Sequence, residues 1–288
     1  MRLDDFDNSI NVEHQGSGGF GGLPIGGGSV GCGGLVILII GALVFGVDLS
    51  PLVSDGGSPM AQQTQQQNAP GAVQGTAACS TDPNAKEMCD ALSSLNKTWS
   101  GLFAREGARF QPPKLSFYDQ SGVSGCGSAQ SAMGPFYCPN DHGIYLDTTF
   151  FRQMEQQLGA SGDFARYYVI AHEYGHHIQT ITGLAQQVQQ AQARSSQAQG
   201  NAIQVRMELQ ADCYAGVWAA QNKDRIDPDD VQEGLRAASS IGDDVLMANS
   251  GRRVSPESFT HGTSQQRMEW LNRGLQTGDP SACDTFQG

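Results

Sequence analysis

Hydrophobic and polar positions divide the chain into an unpatterned first third and a patterned remainder. Residues 1–29 are polar, first acidic and then glycine-rich, so we predict that they are disordered. Residues 30–47 form an uncharged apolar run, which as a helix is just long enough to span a bilayer. Residues 48–78 are rich in Gln, Ala, Gly and Pro and predict a flexible linker, so we expect the folded domain to cover 79–288.

The apolar run at 30–47 has two other interpretations, a buried core helix and the core of a signal peptide. A cleavable signal begins with a basic segment near the initiator Met and ends in small residues. Here a long polar segment precedes the run, and Arg2 is the one Lys or Arg in that segment. We therefore predict a single, uncleaved transmembrane helix.

Periodicity in the remainder predicts an α+β domain that is mostly helical with a small sheet. Apolar residues from Ala85 to Arg105 recur at helical spacing, whereas Leu115, Phe117 and the hairpin-like segment 136–146 indicate strands. Further helices are predicted at 163–182, 184–199, 202–222, 228–241 and 264–276. A small sheet followed by helices is typical of the α+β class. The Gln/Ala-rich stretch 185–200 is compatible with a polar helix and with a mobile loop.

Charge argues against two classes of partner. The net charge is −12, and the sequence contains no run of basic residues. A protein that binds nucleic acid or anionic lipid headgroups needs a basic surface. We therefore expect no nucleic acid partner and no polybasic attachment to a membrane.

Cysteine usage points to an oxidising compartment. Cys32 lies in the apolar run, and an even number of cysteines follows it, with no CxxC pair that would favour a zinc or thioredoxin-like motif. Six reduced thiols in a cytosolic protein are the alternative. Proximity along the chain favours three of the possible pairings: Cys79–Cys89, Cys126–Cys138 and Cys213–Cys283. The domain is then expected to face the periplasm or the cell exterior of a bacterium.

A predicted helix around residues 164–178 carries the clearest candidate chemistry. His172 and His176 are four residues apart, so both project from one face about one turn apart. Two imidazoles in this arrangement can bind one zinc ion. Glu173 lies about 100° round the helix from His172, where it can take a proton from an attacking water without occupying a ligand position. His177 points elsewhere and is expected to be an ordinary packing residue.

A catalytic zinc site needs a third protein ligand and one open position. The longer motif HExxHxxGxxH does not continue here, because Gln179 and Thr182 occupy its last two defined positions. A following helix supplies Glu208 and Asp212, again four apart on one face. We predict that Glu208 is the third ligand and that Asp212 accepts the other ring N–H of a ligating histidine.

The segments HEYGHHIQ and ELQADCYAG resemble the gluzincin branch of zinc peptidases. More closely, the chain resembles a bacterial family described as putative neutral zinc metallopeptidases (YpfJ-like). The resemblance covers nearly the whole chain, including MRLDDFDNSINVE, YCPNDHGIYLD and FTHGTSQQR. It implies a zincin-like fold and zinc-dependent peptidase activity, and it supplies no substrate.

Two further features fit a gluzincin. Zincins usually present an edge strand before the zinc helix, to which a substrate backbone can pair, and Gly143–Asp147 is the candidate; a plain core strand is the alternative. Gluzincins often stabilise the oxyanion with a distant His or Tyr. His261 is our candidate catalytic residue for this role, a loop histidine without a catalytic role is the alternative, and Tyr137, Tyr145 and Tyr214 are rivals.

The sequence therefore predicts a membrane-anchored zinc endopeptidase with an extracytoplasmic catalytic domain. Zn²⁺ is held by His172, His176 and Glu208, and Glu173 is the general base that acts on a peptide or protein substrate. Two alternatives stay open. One is a non-catalytic zinc protein that binds an envelope partner, and the other is a hydrolase that cuts cell-wall peptide cross-links.

Overall fold

The computed structural model describes residues 1–4, 6–16, 72–147, 149–158 and 161–287. The helices in these ranges are α1 Pro83–Arg105, α2 Phe150–Leu158, α3 Asp163–Ile181, α4 Leu184–Gln192, α5 Gln197–Gln221, α6 Asp230–Ser240, α7 Asp243–Asn249 and α8 Ser264–Thr277. The strands are β1 Val12–His14, β2 Val73–Gln74, β3 Lys114–Tyr118, β4 Ser121–Ser124, β5 Gly127–Gln130, β6 Phe136–Cys138 and β7 Gly143–Asp147. Helices predominate over a small sheet, so the predicted α+β class is confirmed.

The main sheet has five strands in the order β2-β1-β3-β7-β6. Strands β1, β3 and β7 are parallel, and β2 and β6 close the two edges in antiparallel pairing. Leu115, Phe117, Ile144 and Leu146 belong to the main hydrophobic core, which the helices cover. A separate hairpin, β4–β5, lies beyond the end of β3.

Of the two interpretations of Gly143–Asp147, the structure shows the core strand and not the edge strand. This strand, β7, lies between β3 and β6, and all five of its residues are buried. Its hydrogen-bonding groups are satisfied on both sides, so it cannot receive an added strand. The edge on this side of the sheet is β6.

Residues 1–4 and 6–16 are part of the fold, so the prediction that 1–29 is disordered is wrong for these residues. Strand β1 lies between β2 and β3, and Ile10 and Val12 are buried. The Met1 ammonium donates to Asp230 Oδ1 at 2.7 Å and to Asp163 Oδ2 at 3.0 Å. These contacts are all made with residues distant in sequence, which a local hydrophobic pattern cannot reveal.

The predicted linker 48–78 is wrong for its last seven residues. Strand β2 is followed by a 3₁₀ turn, Gly75–Ser80, in which Ala78 and Cys79 are buried. The later part of the fold therefore begins at residue 72 and not at Cys79. Residues 48–71 lie outside the described residues.

The pairing of β1 with β2 limits any membrane topology. His14 lies opposite Val73, so the chain re-enters the sheet beside the point at which it left. Residues 1–16 and 72–287 therefore lie on the same side of any membrane, and a single crossing by residues 30–47 would separate them. The predicted single-pass arrangement does not fit this pairing. The apolar run itself lies outside the described residues; within them, no helix is long and apolar enough to cross a bilayer.

Two glycines allow α5 and α8 to pack backbone against backbone. A Cβ at Gly274 would lie 2.0 Å from the carbonyl oxygen of Cys213, and one at Gly216 would lie 2.2 Å from that of Leu271. No side chain fits at either position, because real Cβ atoms do not approach other atoms this closely. This contact brings the start of α8 onto the part of α5 that carries the predicted ligand.

The structure pairs the six later cysteines as predicted. The disulfides are Cys79–Cys89, Cys126–Cys138 and Cys213–Cys283. The first joins the entrance of the domain to α1, and the second joins the β4–β5 hairpin to β6. The third fixes the C-terminal 3₁₀ turn Pro280–Cys283 to α5.

The Gln/Ala-rich stretch is mostly helical. It forms α4 and, after a short break, the first turn of α5. Ser196 begins α5 with a capping box, in which its side chain accepts from the Gln199 backbone N–H while the Gln199 side chain bonds back. The sequence prediction missed α2 and α7, which have 9 and 7 residues and so show the helical period over only about two turns.

Candidate metal centre

Both ends of helix α3 are defined by a glycine, and its first turn is capped by a carboxylate. Gly162 precedes it with φ of 110°, and the backbone N–H of Phe164 donates to Glu233 of α6 at 3.2 Å. That carboxylate satisfies one of the first-turn N–H groups and suits the positive end of the helix dipole. Gly183, with φ of 80°, ends the run in the left-handed region, where glycine is favoured.

A close crossing of α3 and α5 builds the site. A Cβ at Gly175 would lie 2.9 Å from the Cα of Ala211, so the helices approach more closely there than any larger residue allows. His172 and His176 flank Gly175 on α3, and Glu208 lies one turn before Ala211 on α5. The crossing therefore brings the predicted third ligand to the two histidines.

The three predicted ligands meet with spacing that suits one zinc ion. Their candidate ligand atoms all lie within 4.8 Å of one another. His172 Nε2 is 3.2 Å from Glu208 Oε2, and His176 Nε2 is 3.6 Å from Glu208 Oε1. Two ligand atoms about 2.0–2.1 Å from a tetrahedral zinc are about 3.3–3.4 Å apart. Two imidazoles and one carboxylate are also a ligand set that zinc prefers, so the residues fit the metal.

A buried charged pair supports His172. His172 Nδ1 donates to Asp212 Oδ1 at 2.8 Å, as the sequence predicted. The same carboxylate accepts from Tyr168 Oη at 2.6 Å and from Arg267 Nε and Nη2, both at 2.9 Å. Asp212 and Arg267 are almost fully buried. Because Nδ1 carries the hydrogen, Nε2 is left with the lone pair that a metal requires.

Neutral amides support the other two ligands. His176 Nδ1 donates to Gln179 Oε1 at 2.8 Å. Glu208 Oε1 accepts from Gln204 Nε2 at 2.9 Å, and Gln204 in turn accepts from Gln192 of α4 at 3.0 Å. Each of the three ligands is thus oriented by its own hydrogen-bond partner.

The charges of the site are strongly coupled. Burial opposes the negative charge of Glu208, yet the imidazoles of His176 and His172 hold its pKa well below the usual range. Burial likewise opposes charge on His172, but the Asp212 carboxylate outweighs it and raises the pKa of that imidazole to about 9. Without a metal, the His172 imidazole thus holds its second proton at neutral pH. Metal binding must release this proton.

Glu173 differs from the other acidic groups of the site. It makes no hydrogen bond or ion pair to any residue that the structure describes, and it lines the open cleft above the ligands. Burial raises its pKa, and the adjacent His172 and His176 offset part of that rise. An unpaired carboxylate with a raised pKa beside a metal site has the properties of a general base.

His261 also lines the cleft, and Asp243 fixes its ring. His261 Nδ1 lies 3.1 Å from Asp243 Oδ1. Asp243 Oδ2 accepts from the backbone N–H groups of Thr260, His261 and Gly262, at 2.7, 2.6 and 3.0 Å. This bonding leaves Nε2 as the ring nitrogen available to the cleft. The buried loop is held rigidly by one carboxylate.

The tyrosine rivals of His261 are engaged elsewhere. Tyr137 lines the cleft, but its hydroxyl bonds to His177 Nδ1 at 3.2 Å. The Tyr145 hydroxyl donates to Asp141, and Tyr214 packs edge-on against Trp99. Neither Tyr145 nor Tyr214 lines the cleft.

His177 is a buried packing residue. Its Nε2 donates to the Gln111 carbonyl at 2.7 Å, so Nδ1 is the acceptor for Tyr137. Burial lowers its pKa to about 4, so the ring is neutral. It takes no part in the cluster of possible ligands.

The ligands line a cleft of about 480 Å³. Glutamines of α4 and α5 also line it, together with Thr180 and Val188. Apolar side chains in the lining are Met133, Phe150, Met154, Val169, Ala237 and Ile241. Residues 133–137, just before and within β6, contribute to the lining as well.

Sequence reasoning missed several contributors to the site, among them Gln179, Gln204, Asp243 and Arg267. The contact of Gln179 could have been predicted, because Gln179 is three residues after His176 and a helix places the two on the same face. Arg267 is in the segment FTHGTSQQR, but its partner is 55 residues away. Asp243 is the first residue of a short helix, and it binds the backbone of the loop 260–262. No local pattern could indicate this contact.

Comparison with known proteins identifies the family of the chain. The profile of the family described as "Putative neutral zinc metallopeptidase" matches residues 1–286. The uncharacterized protein YpfJ of Escherichia coli strain K12 is 44% identical over 288 residues, covering 99% of this chain and 95% of the relative. The uncharacterized protein Rv2575 of Mycobacterium tuberculosis strain H37Rv is 38% identical over 261 residues, or 85% of each chain. No solved structure matches the chain significantly. The chain therefore belongs to the neutral zinc metallopeptidase family that this profile describes.

Proposed function

We propose that the protein is a zinc-dependent endopeptidase that uses Glu173 as its general base. The observation that carries the proposal is an unpaired carboxylate in an open cleft, directly beside three converging ligands. A structural zinc site is closed by four protein ligands, whereas a catalytic site keeps one position open. The described residues around the cluster offer three ligands and a cleft, which favours catalysis over the non-catalytic alternative.

Zinc, when bound, supplies a Lewis acid that activates water and polarises the peptide carbonyl. Glu173 takes the proton of the attacking water and passes it to the leaving amine. His261 stabilises negative charge on the carbonyl oxygen by donating from Nε2. Because Nδ1 already donates to Asp243, this second donation requires the protonated ring.

The cleft supports a polypeptide substrate with a large apolar side chain near the scissile bond. Helices α2, α3 and α6 contribute apolar side chains to the lining, and α4 and α5 contribute neutral amides. Among the described residues that line the cleft, Arg267 is the one basic side chain besides histidine, and it is engaged with Asp212. The described lining therefore offers no unengaged Lys or Arg to the carboxylates of cell-wall cross-links. Strand β6 is the edge of the described sheet and contributes Phe136 and Tyr137 to the cleft lining, so its outer backbone groups are the candidates for pairing with an extended substrate.

The test of the activity is Glu173→Gln beside the wild-type chain, in the presence of zinc. We expect zinc content to be retained and hydrolysis of an unfolded protein substrate to fall by at least about 10²-fold, as for loss of a general base. Cleavage sites mapped by mass spectrometry should cluster at large apolar residues. Normal hydrolysis by the variant would refute the mechanism, and zinc without any hydrolysis in wild type would favour the non-catalytic alternative.

We propose that the domain lies outside the cytoplasm and that the apolar run at 30–47 attaches it to the membrane from that same side. Three disulfides support an oxidising compartment. The pairing of β1 with β2 supports a common side for both flanks. The test is labelling of Ser9→Cys and of Ala191→Cys, in a Cys32→Ser background, by an impermeant maleimide on intact spheroplasts. Labelling at both positions is expected, and protection of position 9 alone would restore the single-pass topology.

A further inference from the structure

A chain of neutral hydrogen bonds runs from His176 to the C-terminal turn. Gln179 Nε2 donates to the Met207 carbonyl at 2.8 Å and to Gln210 Oε1 at 3.0 Å. Gln210 Nε2 donates to the Cys283 carbonyl at 3.1 Å. Gln179 is fully buried and Gln210 is 5% exposed, so water does not compete for these bonds.

The bonding determines which way the Gln179 amide faces. Both of its N–H donors are used by oxygen acceptors that cannot donate in return, since one is a carbonyl and the other is the amide oxygen of Gln210. A flipped amide would place its oxygen against the Met207 carbonyl. The Gln179 oxygen must therefore face His176, and His176 Nδ1 must be the donor in their 2.8 Å bond.

The donor assignment has a direct consequence for the metal. With its hydrogen on Nδ1, the neutral His176 ring has its lone pair on Nε2, the atom that faces Glu208. The other end of this series of hydrogen bonds is fixed as well, because the Cys213–Cys283 disulfide joins the C-terminal turn to α5. We call the series from His176 through Gln179 and Gln210 to the Cys283 carbonyl the relay.

We infer that Gln179 and Gln210 are positioning residues, which hold His176 ready for zinc through the disulfide-anchored C-terminal turn. The inference rests on the proposed zinc site and assigns it a support that is distinct from the Asp212–Arg267 pair. Loss of a group that orients a ligating histidine typically lowers metal affinity 10–100-fold. The same loss should reorient the ring, which changes the ligand field of the metal.

The test measures zinc affinity of the full chain in detergent by chelator competition. Gln179→Met and Gln210→Met remove the relay with little change in volume, and Gln190→Met makes the same change on the exposed face of α4. We expect about 10–100-fold weaker zinc for the two relay variants and wild-type affinity for the control. The visible spectrum of the Co²⁺-loaded protein should shift in the Gln179→Met variant and remain unchanged in the control.

The outcomes separate this inference from the proposed function. Affinities within twofold of wild type and an unchanged Co²⁺ spectrum in both relay variants would overturn the relay while leaving the zinc site intact. Absence of zinc binding in the wild type would overturn both. If Gln179→Met does not fold, Gln210→Met still tests the relay, because it removes a hydrogen bond one step further from the metal ligand.

Discussion

The two histidines of the site are held in opposite ways. His172 donates to a carboxylate that is paired with Arg267, whereas His176 donates to a chain of neutral amides. A buried ion pair is very sensitive to loss of one partner, because the other charge is left uncompensated. A neutral hydrogen bond contributes only about 0.5–1.5 kcal/mol. Loss of the Asp212–Arg267 pair should therefore mainly lower the stability of the fold. Loss of the glutamines that support His176 should mainly lower the affinity for the metal.

Arg267→Met should have the largest effect on stability. It removes the guanidinium from Asp212 and leaves the His172 imidazolium as the remaining counter-charge of that buried carboxylate, so the expected loss is up to about 3–5 kcal/mol. Urea unfolding of the metal-free protein measures it. The double variant Asp212→Asn, Arg267→Met should lose less than the sum of the single variants, because it removes both charges. Equal stability of Arg267→Met and wild type would contradict the comparison.

A third histidine, His177, should contribute a pH dependence of its own. Its folded pKa is about 4 and its reference value is 6.5, so between these values the unfolded chain binds more protons than the folded one. Stability must then rise with pH across this window, by at most about 3 kcal/mol. Urea unfolding of the metal-free wild type and His177→Gln at pH 7, 6 and 5 tests this. The wild type should show the steeper loss towards pH 5, and parallel curves would refute the assignment.

Gly175→Ala should lower both the stability of the fold and the affinity for zinc, because it separates α3 from α5. The added Cβ meets the Ala211 backbone at 2.9 Å, and overpacking of this kind costs about 1–3 kcal/mol. Zinc affinity should fall with it, since Glu208 moves away from both histidines. Gly101→Ala is the matched control, since Gly101 lies within α1, in its last two turns, and a Cβ there meets nothing within 4 Å. That control should be neutral or slightly stabilising.

Gln204→Met should have the smallest effect. It removes one hydrogen bond to Glu208, and we expect about tenfold weaker zinc, or about 1.4 kcal/mol. Thermal unfolding of the metal-free protein should hardly change, because no charge is left unpaired. Isothermal titration with zinc under chelator buffering resolves a tenfold difference. A lower unfolding temperature with an unchanged zinc affinity would show that Gln204 stabilises the fold and does not support the ligand Glu208.

Local patterns predicted the parts of the site that lie on single helices. His172, Glu173 and His176 fall on one helix, and Glu208 and Asp212 on another, so spacing sufficed to group each set. The structure places both sets together at one glycine crossing. Their catalytic and metal-binding roles stay predictions until zinc and activity are measured.

Long-range contacts account for what the sequence could not show. Arg267 and Asp243 act on residues 55 and 18 positions away, and neither stands in a recognisable spacing. Strand β1 has three residues and finds its partners around residues 73 and 115. Such a short strand has no periodicity to detect, and the hydrogen bonds of its neighbours determine its place.

The return of the chain from β1 to β2 offers a route to a soluble form of the protein. A fragment that starts at Cys79 would lack β1 and β2, and it would leave the β3 backbone as a bare edge open to aggregation. Glu13 and His14 lie opposite Gln74 and Val73, the geometry of an antiparallel hairpin. A short Asn-Gly-type turn could replace residues 17–71 and join the two strands directly. The shortened gene would encode both described parts of the sheet without the apolar run, ready for crystallisation with a metal and a peptide inhibitor.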